Sequence, residues 1–311
     1  MDLVFNIAEG THGAHRESHV PAILETLGIP FTGSSSATLA LALDKARTKQ
    51  LLRYEGIPTP AWQLFVSPHE PLAPHLSFPL FVKPNREGSA KGIIRDSIVT
   101  NAAQLRQRIR WVLQRYQQEV LVEEYIEGTE LTVGVLGNDP PQALPILEID
   151  FASCRSAGEH FYSWHMKEVD GQRQRGCEPA FHCPARVEPE LTATVQAVAV
   201  RAHQALGCCD LSRTDIRLRA DGTPFVLEIN PLPGLSPTDS NFPLMTNAAG
   251  ITHSVLIARL VDCAFARYRQ TGVSSTPVSW TAAGRQVAQV QEPTQGSAAW
   301  RDQLVESRQA P

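Results

Sequence analysis

The stretch Arg213-Thr214-Asp215-Ile216-Arg217-Leu218, then Asp221-Gly222, then Phe225-Val226-Leu227-Glu228-Ile229-Asn230 constrains the fold more than any other part of the chain. Asp-Gly between two alternating runs is a strong hairpin signal. A turn centred between residues 221 and 222 sets Asp215 opposite Glu228 and Arg213 opposite Asn230. Period-two alternation then puts these four on one face and Ile216, Leu218, Leu227 and Ile229 on the other. Two opposed carboxylates repel each other unless a cation lies between them, and carboxylates with an amide oxygen suit hard Mg²⁺. The same residues also fit a solvated polar face on which Arg213 screens Asp215 and nothing is bound. Pro231-Leu232-Pro233-Gly234 ends the second strand abruptly, leaving Asn230 where a ligand can approach.

A chain of 311 residues suggests roughly two domains of about 100 to 200 residues each. Its net charge is -4 with both signs interspersed, so it has no basic face for a phosphate backbone, and nucleic acid is not an expected partner. The six cysteines show no paired metal-ligand spacing and the start does not read as a signal peptide, so reduced thiols in the cytoplasm are expected. No apolar run approaches the ~20 residues a spanning helix needs, so a soluble protein without membrane contact is expected.

Leu3 to Ile7 reads as a short buried strand. A helix ending near Gly28, a second strand (Ile29 to Phe31) and a helical stretch from Ser35 to Tyr54 follow, stopped by Gly56-Ile57-Pro58-Thr59-Pro60. Strands are expected at Leu80 to Lys83, Ile93 to Val99, Val120 to Tyr125, Glu130 to Leu136 and Ala143 to Asp150. Leu105, Ile109, Val112 and Tyr116 mark one face of a helix. Another helix carries Leu191, Val195, Val198, Ala202 and Ala205, and a last one runs from about Ile251 to Tyr268. The mixture implies an α/β (α+β) fold. Residues 152 to 181 form a long polar loop, functional or disordered, and the chain beyond Gly272 has a disordered composition.

Lys83 ends an apolar strand and precedes Asn85 to Gly92, a glycine-containing loop that lets backbone N–H groups approach phosphate oxygens while lysine adds charge. Taken alone such a loop is a weak signal, and an ordinary hairpin turn with a surface lysine is the commoner reading; Lys45 could likewise simply snorkel into water. Glu123 to Glu130 joins two strands. It could offer backbone groups to an adenine edge and a carboxylate to ribose, or be a solvated acidic connection.

Together the motifs resemble the D-alanine–D-alanine ligase family of the ATP-grasp superfamily along most of residues 2 to 270. The matching stretches are Leu43-Asp44-Lys45, Gly56 to Pro60, Val82-Lys83-Pro84, Arg86-Glu87-Gly88-Ser89, Leu121 to Gly134, Phe161-Tyr162 with Lys167, Cys183-Pro184-Ala185, Arg213-Thr214-Asp215, Leu227 to Asn230, and Pro233-Gly234. The resemblance implies an ATP-grasp fold with a partial N-terminal α/β lobe (1–57), central and C-terminal lobes (58–271) and a tail (272–311). It implies ATP between two lobes, with Lys45, Lys83 and Lys167 on its phosphates, Glu123, Glu124, Tyr125 and Ile126 at the adenine, and Glu130 at the ribose. Asp215, Glu228 and Asn230 would hold Mg²⁺ (or Mn²⁺). Ser89 would lie in the loop over the γ-phosphate, Lys167 on the mobile lid of residues 152 to 181, Arg213 on developing negative charge, and Gly234 at the oxyanion site.

The implied reaction moves the γ-phosphate to a substrate carboxylate, and the amine of a second amino acid displaces phosphate from the acyl phosphate, as in peptidoglycan biosynthesis. The substrates would be small amino or carboxylic acids, and a homodimer is left open. The alternatives are an ATP-grasp ligase for other acids in a different pathway, and a nucleotide-binding protein with little turnover. Three departures from the family pattern stand out. The strand, glycine turn and acidic residue that open the family do not precede Leu3, which suggests a missing N-terminal segment and a weakened first-substrate site. Glu9, His15 and Glu17 are the next candidates for that site. Glu168 follows Lys167 where tyrosine is usual. The segment after Gly234 is one residue longer than the usual pattern, and Ser240 within it is the expected ligand of the acceptor carboxylate.

Overall fold

The computed structural model describes residues 2–157, 161 and 178–270. Near its start, the two expected short strands reduce to one parallel bridge, Val4 to Phe31. Asn6 turns the chain away: its N–H donates to Thr32 Oγ1 at 2.9 Å, and its own Oδ1 accepts the Ala8 N–H at 3.2 Å. Such local side-chain bonds compete with a strand ladder, and Ile7 is exposed rather than buried.

Helix α1 (His19–Thr26) is followed by α2 (Ser36–Leu43) and α3 (Lys45–Tyr54). The helical stretch expected over 35 to 54 is broken at Asp44, whose extended backbone ends α2. Its carboxylate accepts the Arg47 N–H at 3.1 Å as the N-cap of α3. That cap sets the direction of Lys45, the first residue of α3.

The first sheet holds β1 (Trp62–Phe65), β2 (Leu80–Pro84) and β3 (Ile98–Val99); α4 (Ala102–Tyr116) and β4 (Val120–Glu124) follow in the chain. Its antiparallel order is β1-β4-β2-β3. Leu105, Ile109 and Val112 of α4 pack on Phe65, Leu80, Val82, Val99, Val120 and Val122. Ile93 to Ser97 does not extend β3, because Ser97 Oγ accepts the Ile94 N–H at 3.1 Å and closes a tight turn. β1 has no counterpart among the expected strands.

The second sheet comprises β5 (Thr129–Leu136), β6 (Gln142–Ala143), β7 (Leu147–Asp150), β8 (Ala180–His182), β9 (Leu211–Leu218) and β10 (Pro224–Asn230), in the order β10-β9-β5-β7-β8 with β6 on β5. Pro145, which has no N–H to give a ladder, separates β6 from β7 in the stretch expected to be one strand. Helix α5 (Pro189–Ala205) lies between β8 and β9, and α6 (Asn241–Ala248) and α7 (His253–Gln270) end the described chain. The central strand β5 is buried on both faces. Leu131, Val133 and Val135 meet Val195, Val198 and Ala202 of α5, while Leu136 shares a core with Phe242, Met245, Leu256 and Leu260. Leu131, Val133 and Val135 alternate along one face, and Glu130, Thr132 and Gly134 take the other.

Cys154 is disulfide-bonded, so the reduced-thiol expectation fails at that residue; Cys183, Cys208, Cys209 and Cys263 are free thiols. No single helix among the described residues is long and apolar enough to cross a membrane.

Candidate active site

The β9–β10 hairpin pairs Asp215 with Glu228 and Arg213 with Asn230, as its sequence suggests. The route to that register differs. The Arg219 N–H bonds the Thr223 carbonyl at 3.0 Å, so the loop holds three residues, with Gly222 at φ +85°. Pairs next to the turn are thereby shifted by one, and a bulge between Val226 and Glu228 restores the register before the carboxylates. One consequence is a correction: Val226, not Leu227, joins the core, and Leu227 turns to the same side as Glu228.

On that side Arg213 grips Asp215 with both Nε (3.0 Å) and Nη2 (2.8 Å), and Thr132 Oγ1 donates to Asp215 Oδ1 at 2.8 Å. Lys45 Nζ lies 3.2 Å from Glu228 Oε2 and also donates to the Glu87 carbonyl at 2.6 Å. It thus touches both the acidic hairpin and the glycine-containing loop. Asn230 Oδ1 accepts the Leu232 N–H at 2.8 Å, which starts the turn toward Gly234.

Ser89 and Ala90 in the loop both adopt left-handed backbone, φ 55° and 58°, a strain of order 1 kcal/mol or more each for residues with a Cβ. Two turn bonds bracket the pair, from the Lys91 N–H to the Gly88 carbonyl at 3.0 Å and from the Ile93 N–H to the Ala90 carbonyl at 2.9 Å, and side-chain bonds fix the start of the loop. Asn85 Nδ2 donates to Asp44 Oδ1 at 2.9 Å, and Asn85 Oδ1 accepts the Ala46 N–H at 3.0 Å. Arg86 pairs with Asp44 at 2.9 Å and with Glu119, and Arg16 Nη1 donates to the Arg86 carbonyl at 3.0 Å. The cap of α3 and the start of the loop are therefore one unit.

In the connection from β4 to β5, Glu123 is buried between Lys83 (2.5 Å) and Lys49 (2.8 Å). Burial alone would raise its carboxyl pKa, and the two ammoniums override that and hold it below the usual range. Glu124 pairs with Arg219 at 2.8 Å and Glu130 with Arg217 at 2.9 Å. Tyr125 stacks beside Phe81, whose other neighbour is Phe161 at 5.1 Å. The Tyr125 N–H is taken by the Pro79 carbonyl at 3.2 Å.

The acidic hairpin, the tip of the glycine-containing loop and the β4–β5 connection open on one cavity of about 980 Å³. Lys45, Lys83, Ser89, Glu123, Glu124, Tyr125, Ile126, Glu130, Arg213, Asp215, Glu228, Asn230, Gly234 and Ser240 line it. Ser240 Oγ accepts the Ser236 N–H at 3.2 Å and would lie 2.6 Å from any Cβ placed on Gly234, so the two are in close approach. Lys167 lies outside the described residues. Glu9 and Glu17 also line the cavity, and His15 does not. Burial pushes the Glu17 carboxyl up to about 7, with Arg16 opposing and Glu9 reinforcing.

A family model described as the D-ala D-ala ligase C-terminus matches residues 51–262. The chain is 38% identical over 274 residues to an uncharacterized protein, y4sG, of Sinorhizobium fredii, covering 87% of this chain and 77% of that one. It is 41% identical over 262 residues to a D-alanine–D-alanine ligase of Nitratidesulfovibrio vulgaris, covering 84% and 80%. The chain belongs to the D-alanine–D-alanine ligase family. The crystal structure of the Bacillus anthracis D-alanine–D-alanine ligase complexed with ATP is similar too, with a TM-score of 0.64 and 29% identity over 85% of this chain and 77% of that one. These findings place it among ATP-dependent ligases that form carbon–nitrogen bonds on an ATP-grasp fold, as the motif order implies.

The donor set fits the Mg²⁺ of this ligase family: two opposed carboxylates and an amide oxygen on neighbouring strands, each partly open to the cavity. Arg213 and Lys45 pair with those carboxylates. Sequence reasoning missed Lys49, Arg86, Thr132, Arg217 and Arg219. Each acts through a partner far away in the chain, and the motifs that contain Arg86, Thr132 and Arg217 do not show which partner that is.

Proposed function

We propose that this chain is a D-alanine–D-alanine-type ligase, acting on two small amino acids in peptidoglycan biosynthesis in the cytoplasm, with residues 58–271 as its ATP-grasp part. The observation that supports this reading is that one cavity gathers cationic, aromatic and acidic groups from α3, both sheets and the glycine-containing loop. Tyr125, Phe81 and Leu227 form an apolar wall for a base, and Glu130 faces the ribose. Lys45, Lys83 and the backbone of the Gly88-Ser89 loop bind phosphates. Asp215, Glu228 and Asn230 would hold Mg²⁺, which neutralises phosphate charge when bound.

The first amino acid's carboxylate oxygen attacks the γ-phosphorus, the bond to ADP breaks, and an acyl phosphate forms. Carboxylate oxygen is a poor leaving group and phosphate a good one, so the second amino acid's free amine can then attack the acyl carbon. The carbon–oxygen bond to phosphate breaks, and the nitrogen loses its proton as the amide forms. Arg213 stabilises charge on the transferred group, the backbone at Gly234 meets the acyl oxygen, and Ser240 binds the acceptor carboxylate.

The test is ADP release in Mg-ATP as a function of added amino acid, with the product identified by mass spectrometry. D-Alanine should support release and yield the dipeptide. Release that responds to no member of an amino-acid panel would overturn the ligase assignment.

A further inference from the structure

Three ionisable side chains meet beneath the nucleotide cavity with almost no access to water: Lys49 is 1% exposed, Lys83 4% and Glu123 2%. Glu123 on β4 gives one carboxylate oxygen to Lys83 of β2 at 2.5 Å and the other to Lys49 of α3 at 2.8 Å. Lys83 and Glu123 line the cavity, and Lys49 lies behind them. The Lys49 ammonium also donates to Thr59 Oγ1 at 2.8 Å, and that hydroxyl donates to the Val226 carbonyl of β10 at 2.8 Å. Two ammoniums share one carboxylate, so the cluster carries one net positive charge.

Burying a cation is costly unless the structure returns something for it. A structural role alone needs one carboxylate for one lysine. Here the second lysine takes up half of the carboxylate that would otherwise neutralise Lys83, and the surplus charge sits on the side facing the cavity. We propose that Lys49 is a positioning residue for nucleotide binding: by holding Glu123 from behind, it leaves Lys83 with uncompensated charge for the phosphates. The proposal rests on the reading that Lys83 meets a phosphate. The ligand class is a polyphosphate anion, and Lys49 acts on it only through Glu123 and Lys83.

Burial pushes the Lys49 ammonium down to about 8, with Glu123 opposing and Lys83 reinforcing. The charged groups that face it are Glu123 on β4, Lys83 on β2 and Glu228 on β10. As pH rises through about 8 Lys49 loses its proton, and Glu123 becomes the undivided partner of Lys83. An anion in the cavity favours the protonated form, so nucleotide affinity must fall as pH rises over this window.

The experiment measures Mg-ATP affinity of the whole chain by calorimetry between pH 7 and 9, with the parent and the variants Lys49→Met, Lys49→Arg, Lys83→Met and the double Met variant. The parent should lose affinity with rising pH, and Lys49→Arg, whose charge persists, should keep the neutral-pH affinity without that loss. Lys49→Met should bind about tenfold more weakly at pH 7, within the range of coupled neighbours, and cost nothing further once Lys83 is Met. If Lys83→Met leaves affinity unchanged, the phosphate role of Lys83 fails. If Lys83→Met weakens binding while the pH loss persists in Lys49→Arg, or the two Met substitutions are additive, Lys49 is structural only. Should Lys49→Met not fold, the comparison of parent with Lys49→Arg decides.

Discussion

Asp215 and Glu228 are each held by a cation, Arg213 at 2.8 Å and Lys45 at 3.2 Å, and neither belongs to an apolar core cluster. Asp215→Asn and Glu228→Gln should therefore weaken metal-dependent nucleotide binding by at least the roughly 10- to 100-fold that loss of a group one step removed from a metal costs. Unfolding midpoints without nucleotide should move far less. Equal metal-dependent affinity in the double variant and the parent would show that the ion sits elsewhere. His203 is the opposite case, a titratable group with a purely structural setting. It is 2% exposed, its Nδ1 lies 2.8 Å from Ser212 Oγ, and burial lowers its pKa from 6.5 to about 4, with Asp210 opposing. Because the folded pKa is depressed, the stability contributed by neutral His203 is complete above 6.5 and is lost as the pH falls through about 4. The linkage amounts to roughly 3 kcal/mol at most. Urea midpoints measured from pH 7 to 4 should fall more steeply for the parent than for His203→Gln, and parallel slopes would refute this.

The elements meet at a few points where only one residue type fits. Gly128 joins the β4–β5 connection to β5 with φ +156°, and a Cβ there would lie 2.0 Å from the Leu218 carbonyl oxygen of β9. Its own carbonyl accepts Arg217 Nη1 at 3.0 Å. Gly128→Ala must push β5 and β9 apart at the place where Arg217 and Glu130 pair, and a loss of about 2 to 4 kcal/mol is expected from such overpacking. A denaturant midpoint equal to the parent's would mean that the connection yields without disturbing the strands. The β10 bulge has the complementary role. It lets a three-residue turn coexist with the Asp215–Glu228 pairing and sends Leu227 to the cavity side. A local pattern argument that assumes uniform alternation reaches the right pair of carboxylates and the wrong face for Leu227.

The cavity walls come from parts of the chain distant in sequence: Glu17 near the start, Lys45 of α3, Lys83 and Glu123 of the first sheet, and Asp215 and Glu228 of the second. The beginning and the end of the described chain are tied as well. Arg267 of α7 donates to the Phe31 and Gly33 carbonyls and to Asp210 Oδ2, each at 3.0 Å, and the Gly33 N–H donates to that same oxygen at 2.7 Å. A ligand that touches all the walls binds only the folded arrangement. Mg-ATP at 100 times its dissociation constant should thus add roughly 2.7 kcal/mol to the unfolding free energy by mass action. Differential scanning calorimetry checks this, and an unfolding temperature that ignores saturating Mg-ATP would exclude the cavity as its site.

Much of this was legible in the amino-acid order because turns, caps and periodicity are local. Asp221-Gly222 announces the hairpin, the spacing of Leu105, Ile109 and Val112 announces α4, and the order of short motifs carries the family. The boundaries that misled were decided by single side-chain bonds. Asn6 ends the first strand, Asp44 splits a helix, Ser97 shortens β3, and Pro145 divides a strand. Only the tertiary structure could show that Glu123 is shared by Lys49 and Lys83, that Arg217 and Arg219 neutralise Glu130 and Glu124, and that Arg86 bridges Asp44 and Glu119. An acidic run looks the same in sequence whether it faces water or a buried cation. The difference is set by which strands and helices pack beside it, and that depends on residues tens of positions away.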